Sequence, residues 1–430
     1  MKLSIIGSGY VGTTIAACFA ELGHDVVTVD IDEDIVDTLN DGRSPIHEPG
    51  LDELVAEHAG DRLRATTDYE AILDTDATFL ALQTPANDDG SIDLGAVKAA
   101  STSLGETLAT KDDYHLVVTK STVVPTTTEE VVGPRVAAAA GKTVGEEFDI
   151  AMNPEFQREG TAVEDFLDPD KVVLGAHTDR AFDRLDDIFA PLVDHADDPP
   201  VVETGIREAE MIKYANNAFL ASKISLANDL ANICKEFGVD SAEVLDAIGL
   251  DSRIGAAFLG AGLGWGGSCF PKDTAAIIAA ARERGYEPRL LQAAIDVNDG
   301  QPERMLDLLR KRFDPEGKRV AVLGLSFKPG TDDIRSSRSI PLVEALLDAG
   351  ADVVGYDPVA TENMRERFPD IDYADSAAAA LVDADAALVA TAWDEFAALD
   401  EQFDEMREPV VIDGRRIVTR RDGIDYESLV

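Results

Sequence analysis

The stretch KLSIIGSGYVG, Lys2 to Gly12, runs from a short apolar segment into three glycines spaced G-x-G-x-x-G. The apolar run reads as a buried strand. The residues that follow, Val11–Leu22, carry a helical pattern that Gly23 is suited to end. Gly7 permits the tight turn, Gly9 lets backbone approach a pyrophosphate, and Gly12 lets helix and strand pack closely. The phosphates would then sit on the positive helix N-terminus. A lone G-x-G-x-x-G is weak evidence. Here the next strand-like run ends at Asp30, where an acid can bind ribose hydroxyls and repel a 2′-phosphate. The stretch therefore predicts a Rossmann-like lobe that takes NAD in preference to NADP.

Working outward, short apolar runs recur as KLSIIG, DVVTVD, ATFLAL, HLVVTK and FDIAM, with helical segments between them. Strands alternating with helices predict a parallel α/β sheet. From about Thr204 the period changes: Glu208–Phe237 reads as one long helix closed by Gly238, and Ala242–Ile248 as a second helical stretch. Alternation resumes near Lys318 with KRVAVLG, ADVVGYD, AALVAT and PVVIDG. GHDVVTVD at Gly23–Asp30 is echoed by GADVVGYD at Gly350–Asp357. The expected architecture is α/β, with two Rossmann-like doubly wound lobes joined by a helical middle. The expected boundaries are residues 1–203, 204–300 and 301–430.

Composition narrows the partners. The 430 residues carry 83 acidic against 38 basic side chains, a net charge of -45. That surplus opposes binding to nucleic acid or to an anionic membrane surface. The acids are spread along the whole chain, so they read either as a strongly solvated surface or as adaptation to a high-salt cytosol, where self-repulsion is screened. The second reading is favoured, because the excess touches nearly every expected helix. The N-terminus reads as a strand, not as a signal, and no apolar run approaches the ~20 residues needed to span a bilayer. Cys18, Cys234 and Cys269 are too widely spaced for a disulfide framework or a zinc pattern. A soluble cytoplasmic protein without a metal is expected.

Three motifs follow apolar strands: QTP at Gln83–Pro85, KSTVVP at Lys120–Pro125 and NPEFQREG at Asn153–Gly160. In open α/β sheets the strand C-termini line the ligand crevice, so polar groups there converge on a bound cofactor. Thr122 or Glu155 alone could be an ordinary cap or turn residue; their shared position favours function. In the long helix Lys213 and Asn217 are spaced i, i+4 and share a face, which continues through Leu220, Ile224 and Asn228. On a helix standing alone that face would be a solvated stripe. GWGGSCFPKD, Gly264–Asp273, holds too many glycines for a helix or strand core and reads as a loop backing closely onto a ligand. Cys269 in that loop becomes a useful nucleophile if nearby cations or amides favour its thiolate. Lys272 offers a cation, and Asp273 a carboxylate that could position water. Cys18 and Cys234 read as core or lining residues.

In combination these motifs resemble the UDP-glucose/GDP-mannose dehydrogenase family. The resemblance runs nearly end to end, through GSGYVG, HEPGL at His47–Leu51, KSTV, NPEFQREGTAVEDFLDPDKVVLG, EAEMIKYANNAFLASKISLANDLA, DSRIG, GGSCFPKD, GLSFKPGTDDIRSS and DGRR. It implies a four-electron oxidation of a sugar-nucleotide C6 alcohol to a uronic acid, with Cys269 holding the aldehyde as a thiohemiacetal and then as a thioester. DFLDPDKVVLG looks more like the UDP-glucose branch than the GDP-mannose branch, which makes UDP-glucose the first choice and GDP-mannose or another sugar nucleotide the alternative. By motif match, Gly7, Gly9, Tyr10, Val11, Gly12, Asp30, Thr84, Thr122 and Lys272 would contact NAD. Lys213 and Asn217 would stabilise the developing oxyanion, with Asp273 and Thr122 ordering water or assisting proton movement. Glu155 and Glu159 would flank the site, and which group removes the first proton stays open. Gly266 in the loop and Lys328, Arg415 and Arg416 from the C-terminal lobe match substrate-contacting positions. Arg253 matches a residue that reaches the neighbouring subunit's site. The resemblance thus implies a homodimer through the long helix, or a larger assembly built from it, with residues 204–300 as the dimerisation domain and 301–430 as the UDP-sugar lobe. Gln157, Gly260 and Trp265 depart from the commoner residues. A β-hydroxyacid dehydrogenase, which needs one hydride transfer and no cysteine, is the competing enzyme. A sensor that has kept the fold and lost the chemistry is the non-enzyme alternative.

Overall fold

The computed structural model describes all 430 residues. They divide into two compact units, Met1–Asn216 and Asn217–Val430. The boundary falls inside the helix Ile206–Glu236, whose 31 residues make the long helix read from the sequence.

The first unit is built on eight strands, β1 (Lys2–Ile6), β2 (Asp25–Val29), β3 (Leu63–Thr66), β4 (Ala77–Leu80), β5 (His115–Thr119), β6 (Phe148–Met152), β7 (Val172–Gly175) and β8 (Val201–Thr204), in the order 3-2-1-4-5-6-7-8. Apolar residues alternate between its two faces. Leu3 and Ile5 of β1 join a core with Phe19, Phe79, Phe166 and Phe189, while Ile6 joins a second core with Val29, Leu80 and Val117. Burial on both faces is why β1, β2, β4, β5 and β6 read as apolar runs. The first six strands are parallel, as expected, but β7 meets β6 antiparallel and β8 then follows β7 in parallel. The return to β7 is made by a loop and the short helix Ala162–Leu167, so the chain turns back without a full crossover.

The second unit holds the remainder of the long helix, the helices Ser241–Gly249, Phe270–Glu283 and Arg289–Arg310, and a second sheet. Its strands are β9 (Arg319–Leu323), β10 (Asp352–Tyr356), β11 (Asp372–Tyr373), β12 (Ala386–Val389), β13 (Val410–Asp413) and β14 (Asp425–Ser428), all parallel in the order 11-10-9-12-13-14. Val320 and Val322 face one core, Ala321 and Leu323 the other. The architecture is therefore α/β, with two Rossmann-like sheets and a helical middle.

Three sequence expectations need correction. β3, β7, β8, β11 and β14 are not among the strands expected from the sequence; they are two to four residues long, β8 is largely exposed, and β14 is polar and largely half-buried. The long helix begins at Ile206, two residues before the expected Glu208, and ends at Glu236, with Gly238 left-handed at φ +65° two residues on. GWGGSCFPKD is a loop only as far as Cys269. Phe270 opens a helix, so Lys272 and Asp273 stand in its first turn. Pro271 suits that first turn because the N–H it lacks would be unpaired there.

Candidate functional site

The glycine turn has the shape the spacing predicts. Gly7 is left-handed at φ +98°, and a Cβ there would lie 2.6 Å from the Ala81 carbonyl oxygen. A Cβ on Gly12 would lie 1.8 Å from the Gly7 oxygen, so no other residue fits where helix crosses strand. Gly9 differs: a Cβ on it would meet nothing nearer than Gln83 Nε2 at 3.9 Å. The open side of Gly9 faces the N-terminus of the helix Tyr10–Glu21, whose first N–H groups have no intrahelical acceptor. That arrangement fits a pyrophosphate. Asp30, at the end of β2, accepts Ser8 N–H at 2.5 Å on one oxygen and Asp32 N–H at 3.1 Å on the other, which draws it to the turn. Thr84 donates its hydroxyl to the Thr122 carbonyl at 2.9 Å, tying QTP to KSTV beside the turn. Val11 is in the first turn of the helix. Tyr10 turns its hydroxyl away from the turn to Glu48, so its backbone is what it offers a cofactor.

A second cluster of the same unit stands at the ends of β5 and β6. Glu155 is 8% exposed and pairs with Lys213 Nζ at 2.7 Å, while its other oxygen accepts Gln157 N–H at 2.9 Å. Burial opposes ionisation of this carboxyl, but Lys213, the charge of Lys120 and the Gln157 N–H outweigh it and hold it below its ordinary value. Lys120 is 4% exposed. Its Nζ donates to Asn153 Oδ1 at 2.7 Å and to the Pro154 carbonyl at 3.4 Å. Burial lowers its pKa to about 7, with Glu155 resisting and Lys213 assisting. Thr122 follows two residues later, and Glu159 lies half-buried in the turn after Glu155.

In the second unit Cys269 is exposed and is the N-cap of the helix Phe270–Glu283. A helix N-terminus favours a thiolate over a thiol. Asp273, in the first turn and 1% exposed, accepts Asn217 Nδ2 at 2.7 Å on one oxygen and Lys272 Nζ at 2.5 Å on the other. The cation proposed for the thiolate is thus engaged with the carboxylate next to it in sequence. Cys18 is fully buried, which pushes its thiol well above the ordinary range and leaves it inert; Cys234 is half-buried in the long helix.

The glycines of the cysteine loop meet protein. A Cβ on Gly264 would strike Asn298 Oδ1 at 2.3 Å, on Gly266 the Ser336 oxygen at 2.1 Å, and on Gly267 the Phe327 ring at 2.7 Å. The loop therefore docks on the segment Leu325–Ser337 and on the helix Arg289–Arg310, where the sequence reading had it back onto a ligand. Asn228 Oδ1 accepts Gly262 N–H at 2.7 Å, and Ser225 accepts Trp265 Nε1–H at 3.0 Å, so the long helix holds the loop too. The face carrying Lys213, Asn217 and Asn228 is buried at those residues, not a solvated stripe. Arg415 donates to the Ala390 carbonyl at 2.7 Å and the Gly264 carbonyl at 3.3 Å, and burial lowers its pKa to about 10. Lys328 is half-buried with its ammonium 5.6 Å from the Phe327 ring centre. Arg416 is taken by Asp240 at 2.9 Å, a structural ion pair at a helix cap. Arg253 is 87% exposed and pairs with Asp251.

Two groups escaped the sequence reading. Lys120 closes a strand buried along its whole length, and a lysine directly after HLVVT was the available signal. Glu48 of HEPGL, 4% exposed, accepts the Tyr10 hydroxyl, Gly160 N–H at 2.8 Å and Ala162 N–H at 2.7 Å. It joins the glycine turn to the loop that carries Glu159, and no local pattern announces that.

Comparison with known proteins assigns the chain to a family. Residues 1–193 match the NAD binding domain of the UDP-glucose/GDP-mannose dehydrogenase family, 207–300 its central domain, and 321–420 its UDP binding domain. The UDP-glucose 6-dehydrogenase AglM of Haloferax volcanii is 83% identical over 430 residues, covering all of both chains. Its source accords with the high-salt reading of the acidic surplus. A solved UDP-glucose dehydrogenase from the hyperthermophilic archaeon Pyrobaculum islandicum superposes with a TM-score of 0.93 at 44% identity, over all of this chain and 97% of that one. A UDP-D-ManNAc dehydrogenase from Pyrococcus horikoshii superposes at 0.87 with 27% identity, over all of this chain and 99% of that one. No helix is long and apolar enough to cross a membrane. With its glycine turn shaped for NAD and every domain matched, the chain belongs to the UDP-glucose/GDP-mannose dehydrogenase family and is an NAD-dependent dehydrogenase.

Proposed function

We propose that the protein oxidises the C6 alcohol of UDP-glucose to the carboxylate of UDP-glucuronate in two successive two-electron steps. NAD supplies the hydride acceptor for each. The observation that carries the reading is Cys269 at a helix N-terminus, one turn from an Asp273 carboxylate engaged by Asn217 and Lys272. The Cys269 sulfur adds to the C6 aldehyde, forming a C–S bond while the carbonyl oxygen takes a proton. The second oxidation of that carbon leaves a thioester. Water then breaks the C–S bond, and the thiol and carboxylate are released. Overall one alcohol, one water and two NAD give one carboxylate, two NADH and three protons.

Lys213 and Asn217 stabilise the oxygen as it gains negative charge. Asp273 and Thr122 order the attacking water, and Glu155, held ionised beside Lys213, can accept a proton. Glu159, Gly266, Lys328 and Arg415 are assigned to the substrate, and Lys272 to the cofactor as well as to Asp273. The domains are taken as 1–203, 204–300 and 301–430. A homodimer through the long helix accounts for Phe219, Leu226 and Ile233, exposed at 70%, 59% and 48% and spaced seven apart on that helix, and would let Arg253 serve a neighbouring site.

The test is NADH yield per molecule of UDP-glucose, GDP-mannose and UDP-N-acetyl sugars in high salt. Two NADH from UDP-glucose are expected, with Cys269→Ser and Cys269→Ala losing turnover to the acid. One NADH per substrate and indifference to thiol reagents would overturn the cysteine mechanism. Faster turnover of GDP-mannose or a UDP-N-acetyl sugar would overturn the substrate.

A further inference from the structure

The Glu155 cluster contains more positive charge than one ion pair requires. Lys213 reaches Glu155 directly, and Lys120 stands behind it on the other strand end, bonded to Asn153 and Pro154, the two residues that precede Glu155. Asn153 is itself anchored, its Nδ2 donating to the Val173 carbonyl of β7 at 2.9 Å. Lys120 is thus held by three adjacent strand ends, with no carboxylate hydrogen-bonded to it. A buried ammonium in such a place is costly unless a nearby negative charge repays it, and Glu155 is that charge.

The charged groups facing Lys120 can be counted. A cavity of about 40 Å³ beside it is lined by Asn153, Glu155, Gln157, Asp165 and Lys171 among others. Asp165 is bound by the Arg158 guanidinium at 2.5 Å, and Lys171 lies 4.2 Å from the Phe156 ring centre with its ammonium on Asn216 at 3.2 Å. Glu155 and Lys213 are therefore the groups left to set the field at Lys120. When Lys213 turns to a developing oxyanion, Glu155 loses its direct partner while still buried, and a buried carboxylate without compensation takes up a proton.

We propose that Lys120 is a positioning residue for the oxidation: it supplies the second positive charge that keeps Glu155 a carboxylate while Lys213 serves the substrate, and it fixes the Asn153–Pro154 turn that aims Glu155. The inference rests on the roles given above to Glu155 and Lys213. It makes Lys120 act through Glu155, without touching the substrate.

The test compares pH profiles of kcat/KM and kcat for the full-length enzyme with NAD and UDP-glucose in high salt. Lys120→Met removes charge and hydrogen bonds; Lys120→Gln keeps a donor for Asn153 and removes only the charge; Lys120→Arg keeps the charge. In the first two the acid limb should move up by about one pH unit and kcat should fall about tenfold, with KM changed less than about threefold. Lys120→Arg should return the limb towards its original place. A Lys120→Gln profile lowered uniformly, or unchanged, overturns the proposal, and this variant decides the matter if Lys120→Met does not fold. Glu155→Gln separates the two readings. If it abolishes the acid limb while Lys120→Gln leaves the limb unmoved, only the role of Lys120 fails. If the limb persists in Glu155→Gln, the role given to Glu155 fails, and that of Lys120 with it.

Discussion

Asp30 and Asp357 close the two echoed segments GHDVVTVD and GADVVGYD, yet the structure uses them differently, and substitution should separate them. Asp357 is 2% exposed. One of its oxygens accepts Leu325 N–H at 2.7 Å, Ser326 N–H and hydroxyl at 3.0 Å each, and Trp393 Nε1–H at 3.1 Å. The other accepts Val359 N–H at 3.0 Å and Ala360 N–H at 2.9 Å. In Asp357→Asn, even the better orientation of the amide leaves the Val359 and Ala360 N–H groups facing an NH₂. Losing two buried bonds to an ionised acceptor costs about 3–6 kcal/mol. For a unit of this size that corresponds to a fall in Tm of roughly 10 °C. Asp30 is half-buried and takes one donor on each oxygen, so Asp30→Asn loses one bond, about 1–2 kcal/mol, and acts mainly on the cofactor. The assay is urea and thermal unfolding in molar salt, paired with KM for NAD and NADP. Asp357→Asn should unfold early with a near-normal KM for NAD in the folded fraction; Asp30→Asn should melt near the parent and lose NAD affinity and its preference over NADP. A stability loss below about 1 kcal/mol in Asp357→Asn, or the larger loss in Asp30→Asn, would refute the argument.

Two further substitutions test how the site is held. In Gly266→Ala the new Cβ meets the Ser336 carbonyl oxygen, whereas in Gly260→Ala it meets nothing within 4 Å. The first should lose more than about 2 kcal/mol and alter the alkylation rate of Cys269, and the second should stay within about 0.5 kcal/mol of the parent by chemical unfolding. His115 is 1% exposed, pairs with Thr78 and the Thr75 carbonyl, and has its pKa lowered to about 3 by burial and by the nearby Lys111 charge. Because the unfolded chain protonates first, its contribution is complete above the ordinary pKa near 6.5 and is lost as pH falls towards 3, with about 2 kcal/mol gone by pH 5. The slope of unfolding free energy against pH should therefore be shallower in His115→Gln between those values, and an unchanged slope would count against a neutral buried imidazole.

The parts of this protein legible in the sequence are those whose signal is local. Three glycines after an apolar strand, the short apolar runs that become buried strands, and the thirty-odd helical residues around Lys213 each satisfy their geometry within a few neighbours. The family motifs are legible for the same reason, as short ordered strings. β8 and β14 were not, because each is a sheet edge, exposed or polar, that is made a strand by its one neighbour more than by its own propensity. The start of a helix at Phe270 was hidden by the glycines before it, which turned out to answer to Ser336, Phe327 and Asn298, residues far off in the chain.

Sequence alone determined the fold class, the cofactor turn and the acidic surplus, since strand and helix periods, glycine conformations and net charge are properties of neighbouring residues or simple sums. Tertiary structure alone decided which charges meet. Glu155 with Lys213 and Lys120, Asp273 with Asn217, Glu48 with Tyr10 and Gly160, and the saturation of Asp357 but not Asp30 all join residues brought together by packing. Burial then makes those meetings matter, because a charge out of water is set by the few groups within reach of it.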